Sequence, residues 1–176
     1  MNRHPGGADH TLRLLSLARL PAGSRILDLG AGAGEAVILM KERGFLAEGI
    51  DLHPRSDNVE QGDLLNTGYP DGTFDAVLSQ CAFYVSGDVP GALRESARLL
   101  RPQGVLLLSD VFFELPAPLL HDAGFQILFE EDLTSQWKDY YIEAIWRGDC
   151  DAVPHPDKKS RYWMLIAKKE ENDGSV

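Results

Sequence analysis

The sequence predicts an α/β fold: a doubly wound, mainly parallel sheet covered by helices on both faces. Three observations carry that prediction. Short β-forming apolar runs alternate with helix-length amphipathic stretches along the chain, the order that a parallel sheet requires. The segment Ile26-Leu27-Asp28-Leu29-Gly30-Ala31-Gly32-Ala33-Gly34-Glu35 is an apolar strand that ends in a carboxylate and turns through glycines into a helix. Further carboxylates stand where later strands end, at Asp51 and Asp63. Strand ends of an open parallel sheet converge on one crevice, so the three acids are expected beside one ligand.

The elements follow in order. A first helix is expected over about Asp9 to Leu20, capped by Asp9, with Leu14, Leu15 and Ala18 on one face and Pro21 past its end. The HPGG segment ahead of it reads as flexible. Arg25 to Leu29 is the first strand, and the helix after the glycine loop runs to about Arg43, closed by Gly44. Its apolar middle, Ala36 to Met40, implies burial against the sheet. Leu46 to Asp51 is the second strand and Asn58 to Gly62 a short third, followed by Asp63. Tyr69-Pro70-Asp71-Gly72 is a turn, and Phe74 to Gln80 is the fourth strand.

Asp88 caps the next helix, where Leu93, Ala97 and Leu100 face inward and Arg94, Arg98 and Arg101 form a solvated face. Val105 to Asp110 is the fifth strand, Pro118 to Gly124 a short helix or turn, and Phe125 to Glu130 the sixth strand. An aromatic helix over about Thr134 to Arg147 and a last strand over Tyr162 to Lys169 complete the pattern. With no repeat and no linker, residues 1–176 read as one domain: an N-terminal segment and helix (1–23), a ligand-binding core (24–131), the aromatic helix and last strand (132–169) and a frayed acidic tail (170–176).

Composition narrows the class. The 44% hydrophobic and 25% charged fractions are those of a globular protein. A net charge of −10 opposes association with nucleic acid or an anionic membrane. The two cysteines, Cys81 and Cys150, form no CxxC pair, so neither a disulfide framework nor a metal site is expected, and a reducing cytoplasmic setting follows. No apolar run approaches the roughly 20 residues of a membrane span.

The glycine loop carries the functional signal. A dinucleotide fingerprint reads GxGxxG and sets pyrophosphate on the helix N-terminus. Here the third glycine comes one position early, and Glu35 stands where the last dinucleotide glycine would be. Two carboxylates beside the helix start, Asp28 and Glu35, repel pyrophosphate and suit an ammonium group. Asp51, at the tip of the second strand, can accept both ribose hydroxyls of an adenosine ligand. Asp63 can accept from the adenine amine, with Leu64 packed on the ring.

This loop resembles motif I of the class I S-adenosylmethionine-dependent methyltransferases. FDAVLSQCAFYV is similar to motif IV of the small-molecule members related to ubiquinone and menaquinone biosynthesis. ALRESARLLRPQGVLLLSD resembles their E..R.LKPGG segment and fifth strand, with one departure: Gln103 stands where the family has glycine. The resemblance covers roughly Ser24 to Gly124, and HDAGF through RYWMLIAKK fits the family's terminal hairpin. It implies a Rossmann-like sheet of seven strands with the last one antiparallel. By resemblance, Asp28 and the backbone of Gly30, Ala31, Gly32 and Gly34 would hold the methionine moiety. Asp51 would take the ribose with Leu52 against the base, Asp63 and Leu64 would edge the adenine, and carbonyls near Ser79 and Gln80 would receive the ammonium.

The activity so implied is methyl transfer from S-adenosylmethionine to a small-molecule acceptor by in-line displacement, with no obligatory acid–base residue. Candidates for an acceptor-side role are His4 and His10 near the N-terminus, and Tyr84 and Asp110 at strand ends. Cys81 stands where arsenic-methylating relatives carry a metal-binding cysteine, but their partner cysteines are absent, and a packing role is favoured. The segment between the fifth and sixth strands is too short for the family's lid. Trp137, Tyr140, Tyr141 and Trp146 therefore read either as a replacement lid or as a core helix with a homodimer contact. Two rival functions remain: a catalytically silent S-adenosylmethionine-binding subunit, and an NAD-type oxidoreductase, which Asp28, Glu35 and the lack of a tyrosine–lysine hydride-transfer pair disfavour.

Overall fold

The computed structural model describes residues 5–148 and 159–171. His4, Cys150 and the tail from Asn172 lie outside the described residues. Seven strands form one sheet in the order β3-β2-β1-β4-β5-β7-β6. They are β1 (Arg25–Leu29), β2 (Leu46–Asp51), β3 (Glu60–Gln61), β4 (Phe74–Gln80), β5 (Leu100–Phe112), β6 (Phe125–Asp132) and β7 (Arg161–Lys169). β7 runs antiparallel to both β5 and β6, while β3, β2, β1, β4 and β5 pair in parallel.

Alternation along each strand divides the core between the two faces. Leu27, Leu29, Leu106, Leu108 and Leu165 point to one layer, where they meet Phe83 and α4 (Val89–Leu99) and α5 (Pro116–Asp122). Ile26, Leu107, Met164 and Ile166 point to the other, against α1 (Gly7–Ala18), α2 (Glu35–Glu42) and α6 (Thr134–Trp146). Period-two geometry requires this split: a strand buried on both faces must be apolar at successive positions.

Several expectations are corrected. α1 starts two residues earlier than read, with Gly6 as its cap, so Asp9 sits in the first turn rather than capping. The apolar run of α2 is buried only at Val37 and Met40, and Ile38 is exposed. β3 is reduced to Glu60–Gln61, and a short helix not foreseen, α3 (Phe83–Ser86), follows β4. β5 begins at Leu100, so Leu100 is a strand residue, as is Arg101, which pairs with Asp75 at 2.6 Å.

Arg98 is not a solvated helix residue. It donates to the buried Glu95 from Nε (2.8 Å) and Nη2 (2.7 Å), and to Asp71 and the Tyr69 carbonyl from Nη1 (2.7 Å each). Those bonds hold the Glu95 carboxyl below its ordinary range. Asp88 caps α4 as read, accepting from the Gly91 amide at 2.8 Å. Gln103 adopts φ +67, the left-handed conformation that glycine takes without strain.

Candidate functional site

The chain runs outward from β1 through β2 to β3 and then returns to β4 beside β1, so the connections leaving β1 and β4 part company. A cleft of about 610 Å³ opens there, at the carboxyl ends of the strands. This volume lies in the range that holds a small ligand or cofactor. One wall is the glycine loop and the acids Asp28, Asp51 and Asp63; the other is Gln80, Cys81, Ala82, Val85 and Ser86.

The loop is built by its glycines. Gly30, Gly32 and Gly34 take φ +80, +59 and +78, and the Gly30 and Ala31 amides both donate to the Ile50 carbonyl at 2.9 Å. A Cβ at Gly30 would collide with Ala82 Cβ, whereas one at Gly32 would meet only the movable end of the Arg55 side chain. Gly30 thus serves close packing of the loop as well as approach by a ligand. Arg55 was missed in the sequence; its amide donates to the Gly32 carbonyl at 3.0 Å and its side chain lines the cleft.

Asp28 is 4% exposed, and burial, reinforced by the charge of Asp51, raises its carboxyl to about 7. Asp51 is fixed by the backbone: Oδ2 accepts from the Gly32 amide at 2.9 Å and Oδ1 from the His53 amide at 2.8 Å. Leu52 is exposed on the rim and Leu64 is buried at the floor. Asp63 departs from its expected place at a strand tip: it lies two residues past β3, exposed in a turn, where Oδ1 accepts from the Leu65 amide at 2.8 Å. It still lines the cleft.

Ser79 is fully buried, and its hydroxyl donates to the Leu29 carbonyl at 3.0 Å, tying β4 to β1. Gln80 reaches the cleft, and its side-chain oxygen accepts from the Thr11 hydroxyl at 2.7 Å. That bond anchors α1 to the site.

The acceptor-side candidates have structural occupations. His10 is buried against Gly6 and does not line the cleft. Asp110 is 1% exposed and accepts from the Phe83 (2.8 Å), Tyr84 (3.4 Å) and Val111 (2.7 Å) amides; burial nevertheless raises it to about 6. Tyr84 does not line the cleft; it packs against the core, with its ring centroid 5.5 Å from that of Phe113. Cys81 lines the cleft with its sulfur 3.4 Å from Tyr162 Oη, and burial pushes the thiol up, so it stays neutral. Among the described residues, no group of three or more His, Cys, Asp or Glu side chains is placed to hold a metal ion, and no helix is long and apolar enough to cross a membrane.

For the aromatic helix, the structure favours the core reading over the lid. Trp137 is 1% exposed and stacks on Tyr162 with centroids 6.1 Å apart and planes 6° from parallel. It is core, and no residue of α6 lines the cleft. The helix presents Ile142, Ile145 and Trp146 outward.

A parallel sheet closed by an antiparallel seventh strand, with a glycine-loop cleft between β1 and β4, defines the Rossmann-like class of S-adenosylmethionine-dependent methyltransferase folds. A family model described as a methyltransferase domain matches residues 3–155, and the chain belongs to that family. It is 33% identical over 145 residues to the demethylmenaquinone methyltransferase of Deinococcus radiodurans, a match covering 72% of this chain and 59% of that protein. The curated relatives first matched are longer, and the chain spans between 41% and 59% of their lengths.

Among solved structures it is similar to phosphoethanolamine N-methyltransferase 2 of Haemonchus contortus bound to S-adenosyl-L-methionine (TM-score 0.77, 18% identity, 96% of this chain and 54% of that one). It is also similar to the [4+2]-cyclase SpnF (TM-score 0.71, 20% identity, 97% of this chain and 84% of that one). At such identities the likeness shows the fold alone, and a cyclase among the neighbours means that the fold does not fix the reaction.

Proposed function

We propose that this chain binds S-adenosylmethionine in the cleft and transfers its methyl group to a small-molecule acceptor. The observation that carries the reading is the buried Asp28 carboxylate, which accepts no hydrogen bond from the described residues and stands beside Asp51 at the glycine loop. A carboxylate without a compensating charge fits an ammonium. A strand-end carboxylate held by two amides fits a ribose diol, because each oxygen keeps a free lone pair.

Asp28 holds the ammonium together with carbonyls near Ser79 and Gln80, and the backbone of Gly30, Ala31, Gly32 and Gly34 supports the methionine chain. Asp51 orients the ribose, Leu52 and Leu64 cover the base, and Asp63 accepts from its amine. When bound, the cofactor supplies a methyl carbon already activated by positive sulfur, so the protein's contribution is alignment and exclusion of water. The methyl group would pass in line to the acceptor atom, with Asp28 and Asp51 holding the donor in register.

The same reading places the protein in a reducing, cytoplasmic compartment, without nucleic acid as substrate. It makes the outward face of α6 the contact of a homodimer, which light scattering checks. A second reading, a donor-binding subunit without turnover, is favoured by one observation: Asp110, the acid weighed for an acceptor-side role, is committed to backbone amides. Donor binding with no turnover on any acceptor distinguishes it.

The cofactor test is a thermal melt. S-Adenosylhomocysteine at millimolar concentration raises the melting temperature, because a ligand bound only by the native state stabilises it by mass action. A shift with NAD and none with S-adenosylhomocysteine overturns the reading.

A further inference from the structure

Glu95 lies in α4 and does not line the cleft, yet it is a carboxylate only 8% exposed. Burying such a group is costly unless it is paired and hydrogen-bonded. Arg98 supplies part of that pairing, and the rest comes from outside the helix: Thr67, in the connection between β3 and β4, donates to Oε1 from its amide at 2.9 Å and its hydroxyl at 2.8 Å. The glutamate and arginine of the E..R segment thus grip a distant loop.

Arg98 extends that grip. Its Nη1 donates to the Tyr69 carbonyl and to Asp71, and its own carbonyl accepts from the Gly72 amide at 2.9 Å. Tyr69 is held in turn, its hydroxyl donating to Glu48 at 3.2 Å and its ring meeting Phe74 edge-on at 5.1 Å. Directly before Thr67 the chain makes a tight turn, in which the Asp63 carbonyl accepts from the Asn66 amide (3.1 Å) and its Oδ1 from the Leu65 amide (2.8 Å). Asp63, Leu64 and Leu65 of that turn line the cleft. A turn closed on itself has little slack, so its place follows that of Thr67.

We infer that Glu95 and Arg98 are positioning residues, which hold the Asp63 turn against the cofactor's base and so set the selection of adenine over a purine that lacks the amine. The inference rests on the S-adenosylmethionine reading of the cleft. Oδ1 of Asp63 is taken by the Leu65 amide, which leaves Oδ2 to the ligand. A carboxylate oxygen accepts from the exocyclic amine of adenine and repels the carbonyl oxygen that hypoxanthine carries at the same place. It discriminates only while the turn is held, because a turn that swings free relaxes the clash as readily as it loses the bond.

The test titrates the full chain calorimetrically with S-adenosylhomocysteine and, separately, with its hypoxanthine analogue, S-inosylhomocysteine. The wild type binds the adenine compound more tightly by about tenfold or more, the size of one hydrogen bond to a charged group. Thr67→Val deletes the hydroxyl bond to Glu95 and keeps the amide bond; it weakens S-adenosylhomocysteine by roughly three- to tenfold, the fraction of time the loop is undocked, and narrows the preference between the two bases. Thr67→Ser restores both. Arg98→Lys keeps the charge without the fork that reaches Glu95, Tyr69 and Asp71 together, and behaves like Thr67→Val.

Thr67 is half-buried, so its replacement spares the core and carries the test should Arg98→Lys fail to fold. A Thr67→Val protein with a lower melting temperature and an intact base preference makes the grip structural only, and overturns the inference while the cofactor reading stands. Equal affinity of the wild type for the two compounds does the same. Failure of the wild type to bind S-adenosylhomocysteine overturns both.

Discussion

Asp28, the penultimate residue of β1, and Asp51, the last of the adjacent parallel β2, share one wall of the cleft, and the charge of Asp51 adds to burial in raising the Asp28 carboxyl to about 7. The folded value lies above the unfolded one, so between about pH 4 and 7 the folded state binds more protons. Stability of the ligand-free protein therefore falls as pH rises through that window, and the full penalty stands above pH 7. At about 1.4 kcal/mol per unit, the penalty reaches about 4 kcal/mol.

Asp28→Asn removes the penalty. Its melting temperature exceeds that of the wild type at pH 8, and the gap closes at pH 4, while affinity for S-adenosylhomocysteine drops. A gap independent of pH, read by calorimetric melts, contradicts this account.

Asp51→Ala weakens S-adenosylhomocysteine binding by roughly 2–4 kcal/mol, since it deletes charge-assisted bonds to two hydroxyls with incomplete additivity. It also frees the Gly32 and His53 amides. Asp51→Asn keeps one acceptor and loses less. Calorimetry showing unchanged affinity in a folded Asp51→Ala removes this residue from the site.

Gln103→Gly stabilises the protein. Gln103 holds φ +67, which disfavours any residue with a Cβ by roughly 1–2 kcal/mol, partly offset by the greater chain entropy of glycine. A rise of about 2–4 °C in melting temperature corresponds to a net gain of about 1 kcal/mol in a protein of this size. A fall would mean that side-chain contacts at Gln103 outweigh its backbone strain.

Trp137→Ala destabilises by about 3–5 kcal/mol, the range for emptying a buried aromatic site, and abolishes the stacking on Tyr162. In urea the midpoint falls, and at low urea the folded fraction retains its affinity for S-adenosylhomocysteine. A variant of wild-type stability with altered ligand affinity would restore the helix to a lid role.

Strands β1, β2 and β4 were legible to the residue because each is a short apolar run bounded by turn formers or glycines, and local pattern suffices there. α3 was not, because its start is fixed by Asp110, which lies on β5 and is remote in sequence. The early start of β5 escaped for a similar reason: Leu100 pairs with Phe74 across a bulge before the left-handed Gln103, a partnership no local window contains. The aromatic segment was legible as a helix, but its choice between lid and core was not, since Trp137 alone cannot tell whether Tyr162 will lie beneath it.

By itself, then, the sequence determined the strand-end chemistry: the glycine loop, the acids at Asp28, Asp51 and Asp63, and the family they point to. Only the tertiary structure decided what each acid is. Asp28 is buried with its carboxyl pushed up to about 7, Asp51 is pinned by two amides, Asp63 is exposed in a turn, and Asp110 is an anchor for α3. Carboxylates identical in sequence differ in this way because desolvation and hydrogen bonding are set by neighbours that folding brings from distant segments.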